Sequence, residues 1–290
     1  MQSVLYGNPA HDIVRAARSL ANAVARARTA GAIGDWSLQL GDCTPQPALT
    51  DADIETIRGI VGDAGGELGY TFFDANLGSA AGHNALAALS DSEVMLILNP
   101  DAQVAPDTIE VLAAALVDGV GVAEARQVPL EHPKTFAPGT GDTSWASTAC
   151  AVTPRSVFDA VGGFDSETFF LYCDDVDYSW RVRLAGHRVV YEPAARVFHD
   201  KRLTLSGDWP ASAAEIYYSA EAALMIAHKY SRPGRVRTLL KKYRSDGHEA
   251  PLRAVEEFER RRSEGRLPTP IDPRHSVSQF IKDNYAEHRF

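Results

Sequence analysis

The sequence predicts an α/β protein, with a mostly parallel sheet followed by a helical C-terminal extension. Three observations carry this. Short apolar runs alternate with segments of helical periodicity as far as residue 118, the pattern of successive βαβ units. Polar or turn-forming residues close each apolar run. Beyond about residue 205 the strand-length runs stop and only helical periodicity continues.

The elements follow in order. "SVLY" is a short first strand. Asn8 can cap the helix after it, and Pro9 suits that helix's first turn. Ile13, Ala17, Leu20, Ala21 and Val24 then recur at helical spacing, and Gly31 ends the pattern. "DWSLQLGD", "LGYTFFDAN" and "EVMLILNPD" are the second, third and fourth strands, with helices near 51–62, 79–90 and 106–118. In such sheets ligands bind at the carboxyl ends of the strands. Gly7-Asn8, Asp42, Asn76 and Asn99-Pro100-Asp101 all fall at such ends. "ASAAEIYYSAEAALMIAHKY" reads as a helix broken by "SRPG", and "RVRTLLKKYR" and "APLRAVEEFERRRSEG" read as two more. The expected boundary lies near 205, giving a domain over 1–205 and an extension over 206–290.

Composition narrows the function classes. A chain of 290 residues with 45% hydrophobic residues can bury a sizeable core. The net charge of −9 argues against general nucleic-acid binding. No apolar run approaches the roughly 20 residues needed to span a bilayer, and no signal-peptide pattern opens the sequence. The expectation is a cytoplasmic protein. Cys43, Cys150 and Cys173 have no metal-like spacing and read as reduced thiols.

Four stretches carry chemistry. In "LILNPDAQV" a buried strand runs into Asn-Pro-Asp. A carboxylate there can hold Mg²⁺ or Mn²⁺ with a diphosphate, or it can close an Asx turn. "NLGSAAGHN" (76–84) follows a strand and opens a helix. Gly78 and Gly82 allow close approach, so the stretch is either an anion site or a tightly packed helix start; it is neither a dinucleotide fingerprint nor a Walker loop. In "GGFDSETFFLYCDDVDYSWRVRLAG", Asp174 and Asp175 open a helix predicted over 174–185. They are either acids favoured by the helix dipole or a general base aimed into a cleft. Asp177, one turn on, reads as a solvated carboxylate or a helper of the helix start. "HRVVYEPAARVFH" ends on His199, either a satisfied histidine or a partner of Asp101 in a metal site.

Taken in order, the series N-L-G-x-x-x-G-x-N, L-N-P-D, G-G-F-D-x-x-F-F-L-Y-x-D-D-V-D, R-x-x-x-A-G and P-A-A-x-V-x-H resembles the family 2 glycosyltransferases of the GT-A fold. It is most similar to the bacterial rhamnosyl- and galactofuranosyltransferases. The resemblance covers about residues 1–240, and 162–199 is its most specific block. It implies an inverting transfer from a UDP- or dTDP-linked sugar to an acceptor hydroxyl on a glycan, a glycolipid or a small molecule. It implies that Asp101 and His199 bind the metal, Mg²⁺ or Mn²⁺, with Asn99 at the position of the first DxD acid. Asp42 is implied to contact the base, and Gly7-Asn8 to lie under base and ribose. Asn76, Gly78 and Asn84 are implied to belong to the loop near the base and diphosphate. Asp175 is implied as catalytic base, Asp174 as acceptor-orienting in place of the usual Glu, and Trp145 as part of the sugar pocket. The first two strands depart from the family pattern, ending in Tyr6-Gly7-Asn8-Pro9 and Asp42-Cys43-Thr44-Pro45; both departures concern the base.

Two further readings follow from the residues. Between Ala222 and Ser245 there is no acid, and Lys229, Arg232, Arg235, Arg237, Lys241, Lys242 and Arg244 cluster there. This basic stretch, 229–244, suits peripheral contact with the inner face of a membrane, or it is a solvated face, or a face packed against the acidic body or against a second subunit in a homodimer. Among rival functions, a nucleotidyltransferase lacks its Gly-rich basic loop here. A catalytically degenerate nucleotide-sugar-binding module is the alternative that the altered turns permit. A hydrolase with paired carboxylates is disfavoured because neighbours at a helix start rarely face one substrate atom.

Overall fold

A computed structural model of the chain describes residues 1–131, 134–199, 211–281, 284 and 285. The boundary expected near 205 lies outside these residues. The N-terminal half alternates as predicted: β1 (Gln2–Leu5), α1 (Ala10–Thr29), β2 (Ser37–Asp42), α2 (Asp51–Asp63), β3 (Glu67–Phe72), α3 (Gly78–Ala88) and β4 (Val94–Leu98). Next come β5 (Ala102–Val104), α4 (Thr108–Ala115), β6 (Val120–Val128), β7 (Cys150–Pro154), α5 (Arg155–Ala160), α6 (Asp174–Leu184) and β8 (Arg188–His199). Three helices close the chain, α7 (Ala213–Lys229), α8 (Pro233–Asp246) and α9 (Glu249–Ser263).

The strands form one sheet in the order β3-β2-β1-β4-β7-β6-β8-β5. From β3 to β4 it is parallel, because each crossover returns through a helix. β6 and β8 also pair in parallel, so the sheet is mostly parallel as expected, with antiparallel pairs entering beyond β4. β7 pairs antiparallel with both β4 and β6, and β5 pairs antiparallel with β8, so the second half is mixed. Among the described residues no helix lies between β6 and β7, and the two strands pair antiparallel. The pairing that matters most for the site is Ala102 with His199, which brings the end of β8 beside the turn after β4.

β4 is buried on both faces. Leu96 and Leu98 enter a core with α1, α2 and α4, while Met95 and Ile97 enter a second core that includes Phe158, Phe164 and Tyr178. α1 buries the predicted Ile13, Ala17, Leu20, Ala21 and Val24, and Gly31 follows it in the left-handed region. Its cap is Pro9 rather than Asn8; the Asn8 Oδ1 accepts instead from the Tyr6 amide at 3.0 Å.

A third core joins α6 to the C-terminal helices through Trp180, Met225, Tyr230, Leu239 and Phe258. Here the reading of Asp177 is corrected. It is fully buried, and its carboxylate meets Lys229 Nζ at 2.5 Å, Arg181 Nε at 2.7 Å and the Tyr230 hydroxyl at 3.1 Å. Lys229 also reaches Asp165 at 2.7 Å. An acid in a first helical turn looks solvated in sequence because its cationic partner lies far along the chain. Lys229 thus leaves the basic stretch proposed for a membrane. Arg237, Lys241, Lys242 and Arg244 stay exposed on α8. Among the described residues no helix is long and apolar enough to cross a membrane.

Candidate active site at the carboxyl edge of the sheet

Asn99 and Asp101 lie in the turn between β4 and β5, and His199 ends β8. The structure brings Asp101 Oδ1 within 3.4 Å of His199 Nε2. Asn99 Nδ2 lies 3.2 Å from the same nitrogen, and Gln127 Oε1 lies 3.1 Å from His199 Nδ1. One neutral tautomer satisfies both hydrogen bonds: Nδ1–H donates to Gln127 Oε1 and the Nε2 lone pair accepts from Asn99 Nδ2, so that Nε2 and the Asp101 carboxylate 3.4 Å away are two acceptors that a cation would join. A metal-binding imidazole is oriented in this way, with its other ring nitrogen held by a fixed acceptor. Among the described residues no group of three or more His, Cys, Asp or Glu forms a metal cage. A carboxylate and an imidazole fit a hard divalent ion that takes its remaining ligands from a diphosphate and water.

The second constellation is the start of α6. Tyr172 and Cys173 both adopt positive φ, +67° and +55°. Non-glycine residues carry such strain where the surroundings impose it, often at functional sites. The strained pair leads into α6, whose turn of about 100° per residue points the two consecutive acids in different directions. Asp174 is buried, and burial first, then the Asp175 charge, pushes its carboxyl up to about 7. The Ser79 hydroxyl opposes that rise by hydrogen bonding, and the Asp174 Oδ2 has no hydrogen-bond partner among the described residues. Asp175 is half-buried, its Oδ1 accepting from the Val176 amide at 2.8 Å. The outward acid is the one able to meet a substrate.

The two constellations are bridged by residues 146–149. The Asn99 amide donates to the Ala149 carbonyl at 3.0 Å, and the Ala146 amide donates to Ser179 Oγ on α6 at 3.0 Å. Gln127 Nε2 donates to Ser147 Oγ at 3.2 Å. Behind this segment Glu124 and Lys134 form a buried pair, and the Ser147 amide also donates to Glu124. Trp145, expected at the sugar pocket, is buried, with Lys134 Nζ 4.1 Å from its ring centroid and Tyr285 edge-on at 5.5 Å.

The expected nucleotide residues divide by what they touch. Asp42, fully buried at the end of β2, accepts from the Thr44 amide at 3.0 Å, the Ala48 amide at 2.7 Å, and the Thr44 and Tyr70 hydroxyls. Burial alone would raise its carboxyl, but these bonds together hold it below the usual range. It therefore shapes the 43–49 loop. Asn84 uses both ends of its amide on the Phe164 backbone, at 2.8 and 2.9 Å, and so clamps the loop before α6. Asn76 Oδ1 accepts from the Gly78 amide at 3.2 Å. Gly78 sits at φ +71°, where a Cβ would lie 2.4 Å from the Phe170 carbonyl oxygen, so only glycine lets α3 pack against this loop. Gly7, also at positive φ, has open space where a Cβ would point.

Sequence reasoning missed Ser79 and Gln127, which touch Asp174 and His199. Ser79 was within reach, since it follows Gly78 at a helix start. Nothing in sequence marks Gln127.

Comparison with known proteins follows from this geometry. No protein-family model matches the chain. Over 175 residues, 48% of its length, it is 33% identical to the N-acetylglucosaminyl-diphospho-decaprenol L-rhamnosyltransferase of Mycobacterium tuberculosis. The match spans 56% of that relative, so the chain covers little more than half its length. Over 85 residues, 29% of the chain and 17% of the relative, it is 42% identical to the pre-mycofactocin glycosyltransferase of the same organism. Among solved structures, the mannosyltransferase of Pyrobaculum calidifontis in complex with GDP-Man and Mn²⁺ superposes with a TM-score of 0.52 at 15% identity, over 90% of this chain and 68% of that one. GalNAc-T7 with UDP, GalNAc and Mn²⁺ superposes with a TM-score of 0.53 at 14% identity, over 81% of this chain and 52% of that one. The fold is the GT-A glycosyltransferase fold. In sequence the chain resembles family 2 glycosyltransferases, rhamnosyltransferases among them.

Proposed function

We propose that the chain is an inverting, metal-dependent glycosyltransferase that moves a sugar from a UDP- or dTDP-linked donor to an acceptor hydroxyl. The observation that carries the proposal is the meeting of Asp101 and His199 at 3.4 Å, 98 positions apart in sequence, at the carboxyl edge of a GT-A sheet. Asp101 and His199 would hold a divalent cation, which would neutralise charge on the departing diphosphate. Gln127 fixes the imidazole. Asp175 takes the proton from the acceptor hydroxyl; the acceptor oxygen bonds to the anomeric carbon as that carbon's bond to the diphosphate breaks, inverting the centre. Asp174, buried behind it, positions the start of α6 through Ser79.

The rhamnosyltransferase relative supports an L-rhamnosyl or related donor and a lipid-linked saccharide acceptor. The structural neighbours bound to Mn²⁺ support the metal. A lipid-linked acceptor accords with peripheral membrane contact through the exposed cations of α8.

The test is Asp175→Asn. Transfer should fall about 10²–10⁴-fold, the usual contribution of a positioned base, while nucleotide binding persists. Transfer at the normal rate would show that Asp175 is not the base.

A further inference from the structure

We propose that the cavity between α7 and α9 is the acceptor subsite, and that it takes a pyranose ring of the acceptor glycan; this rests on the transferase reading above. The cavity measures about 530 Å³, within the roughly 300–1,000 Å³ usual for small-ligand clefts. Phe170, Tyr217, Tyr218, Glu221, Arg253 and Arg261 line it.

Its position ties it to the chemistry. Phe170 belongs to the loop that ends at Asp174 and Asp175, and its carbonyl accepts from the Ser79 amide at 3.0 Å. Tyr218 stacks on Phe170, with centroids 4.7 Å apart and planes 24° from parallel. Tyr217 meets Tyr218 edge-on at 4.9 Å, and the Arg253 guanidinium lies 5.2 Å from the Tyr217 ring. A wall of three aromatic rings thus runs from the base-bearing loop to α9.

The lining suits a sugar. A pyranose has an apolar C–H face and a rim of hydroxyls. Half-buried aromatic rings meet the face, and fixed charged groups meet the rim. Arg261 is held between Glu221 at 3.1 Å and Glu257 at 2.7 Å, so donors and acceptors stand in set positions. Arg253 has no carboxylate within 4.0 Å among the described residues and is available to a ligand.

The charge balance favours an uncharged ligand over the donor's diphosphate. Arg253 and Arg261 contribute +2 and Glu221 and Glu257 contribute −2, a sum of zero over the lining. A diphosphate would enter with no excess of positive charge to receive it, whereas a neutral sugar carries no such cost.

The experiment is saturation-transfer NMR on the full chain with the methyl glycosides of N-acetylglucosamine, L-rhamnose and galactose, in parallel with nucleotide thermal shifts. The wild type should saturate the ring protons of at least one glycoside. Tyr217→Ala and Arg253→Ala should lower that signal at least fivefold, Tyr217→Phe should retain it, and the nucleotide shifts should not change. No saturation of any glycoside in the wild type, or undiminished saturation in Tyr217→Ala, would overturn the subsite. Glycoside binding without any nucleotide shift in the wild type would instead overturn the transferase reading.

Discussion

Replacing Asp174 by Asn should stabilise the protein, and by an amount that depends on pH. Burial, then the neighbouring Asp175 charge, raises the Asp174 carboxyl from 3.8 to about 7. That rise disfavours the ionised form in the folded chain by on the order of a few kcal/mol. Below pH 4 both folded and unfolded chains hold the proton, and the residue contributes no penalty. Between 4 and 7 the unfolded chain has lost the proton and the folded chain has not. The folded state then binds more protons, so its stability falls as pH rises. Above 7 both are ionised and the full penalty is present. Asn carries no such term. It also leaves packing nearly unchanged, since the Asp174 Oδ2 already lacks a hydrogen-bond partner among the described residues and one unpartnered group replaces another. Thermal melts of the variant and wild type should nearly coincide at pH 4 and separate by roughly 10 °C at pH 8, the variant higher. A separation independent of pH, or a variant less stable at pH 8, would refute the reasoning. The same substitution should impair transfer, as expected where a site is held at a cost in stability.

Two other outcomes follow from the C-terminal helices. Lys229→Met leaves the buried Asp177 with Arg181 as its remaining cation; stability should fall by about 3 kcal/mol, and a melting temperature within 1 °C of wild type would show that the ion pair does not tie the extension down. Reversing Arg237, Lys241 and Lys242 to Glu should abolish co-sedimentation with anionic vesicles at low salt, each cation contributing about 1 kcal/mol near the surface; failure of the wild type to sediment would remove the membrane contact.

The first four strands, their helices and the three C-terminal helices were legible because short apolar runs mark the strands and helical spacing of apolar residues marks the helices. β5, β6 and β7 were not. β6 buries Glu124, a charge whose partner Lys134 lies beyond the strand, and no period in sequence marks a residue that is inward because it is paired. Asp177 failed for the same reason, its partner lying on α7. Asp101 and His199 were found because each follows a strand-like run, and sheet geometry brings the ends of such runs together. Asp42 and Asn84 stood out as polar residues at element ends, but only coordinates show that their side chains already hold the 43–49 loop and the Phe164 backbone. The Tyr217 and Tyr218 wall was read simply as helix, since nothing local says that α9 leaves a cavity beside it.

Thermal stability of the purified chain against UDP, dTDP and GDP, each with and without Mn²⁺, tests the central claim most directly. A transferase whose cation is held by Asp101 and His199 should show a metal-dependent rise with UDP or dTDP that disappears in Asp101→Ala. No rise with any nucleotide, or one that survives the substitution with its metal dependence intact, would contradict it.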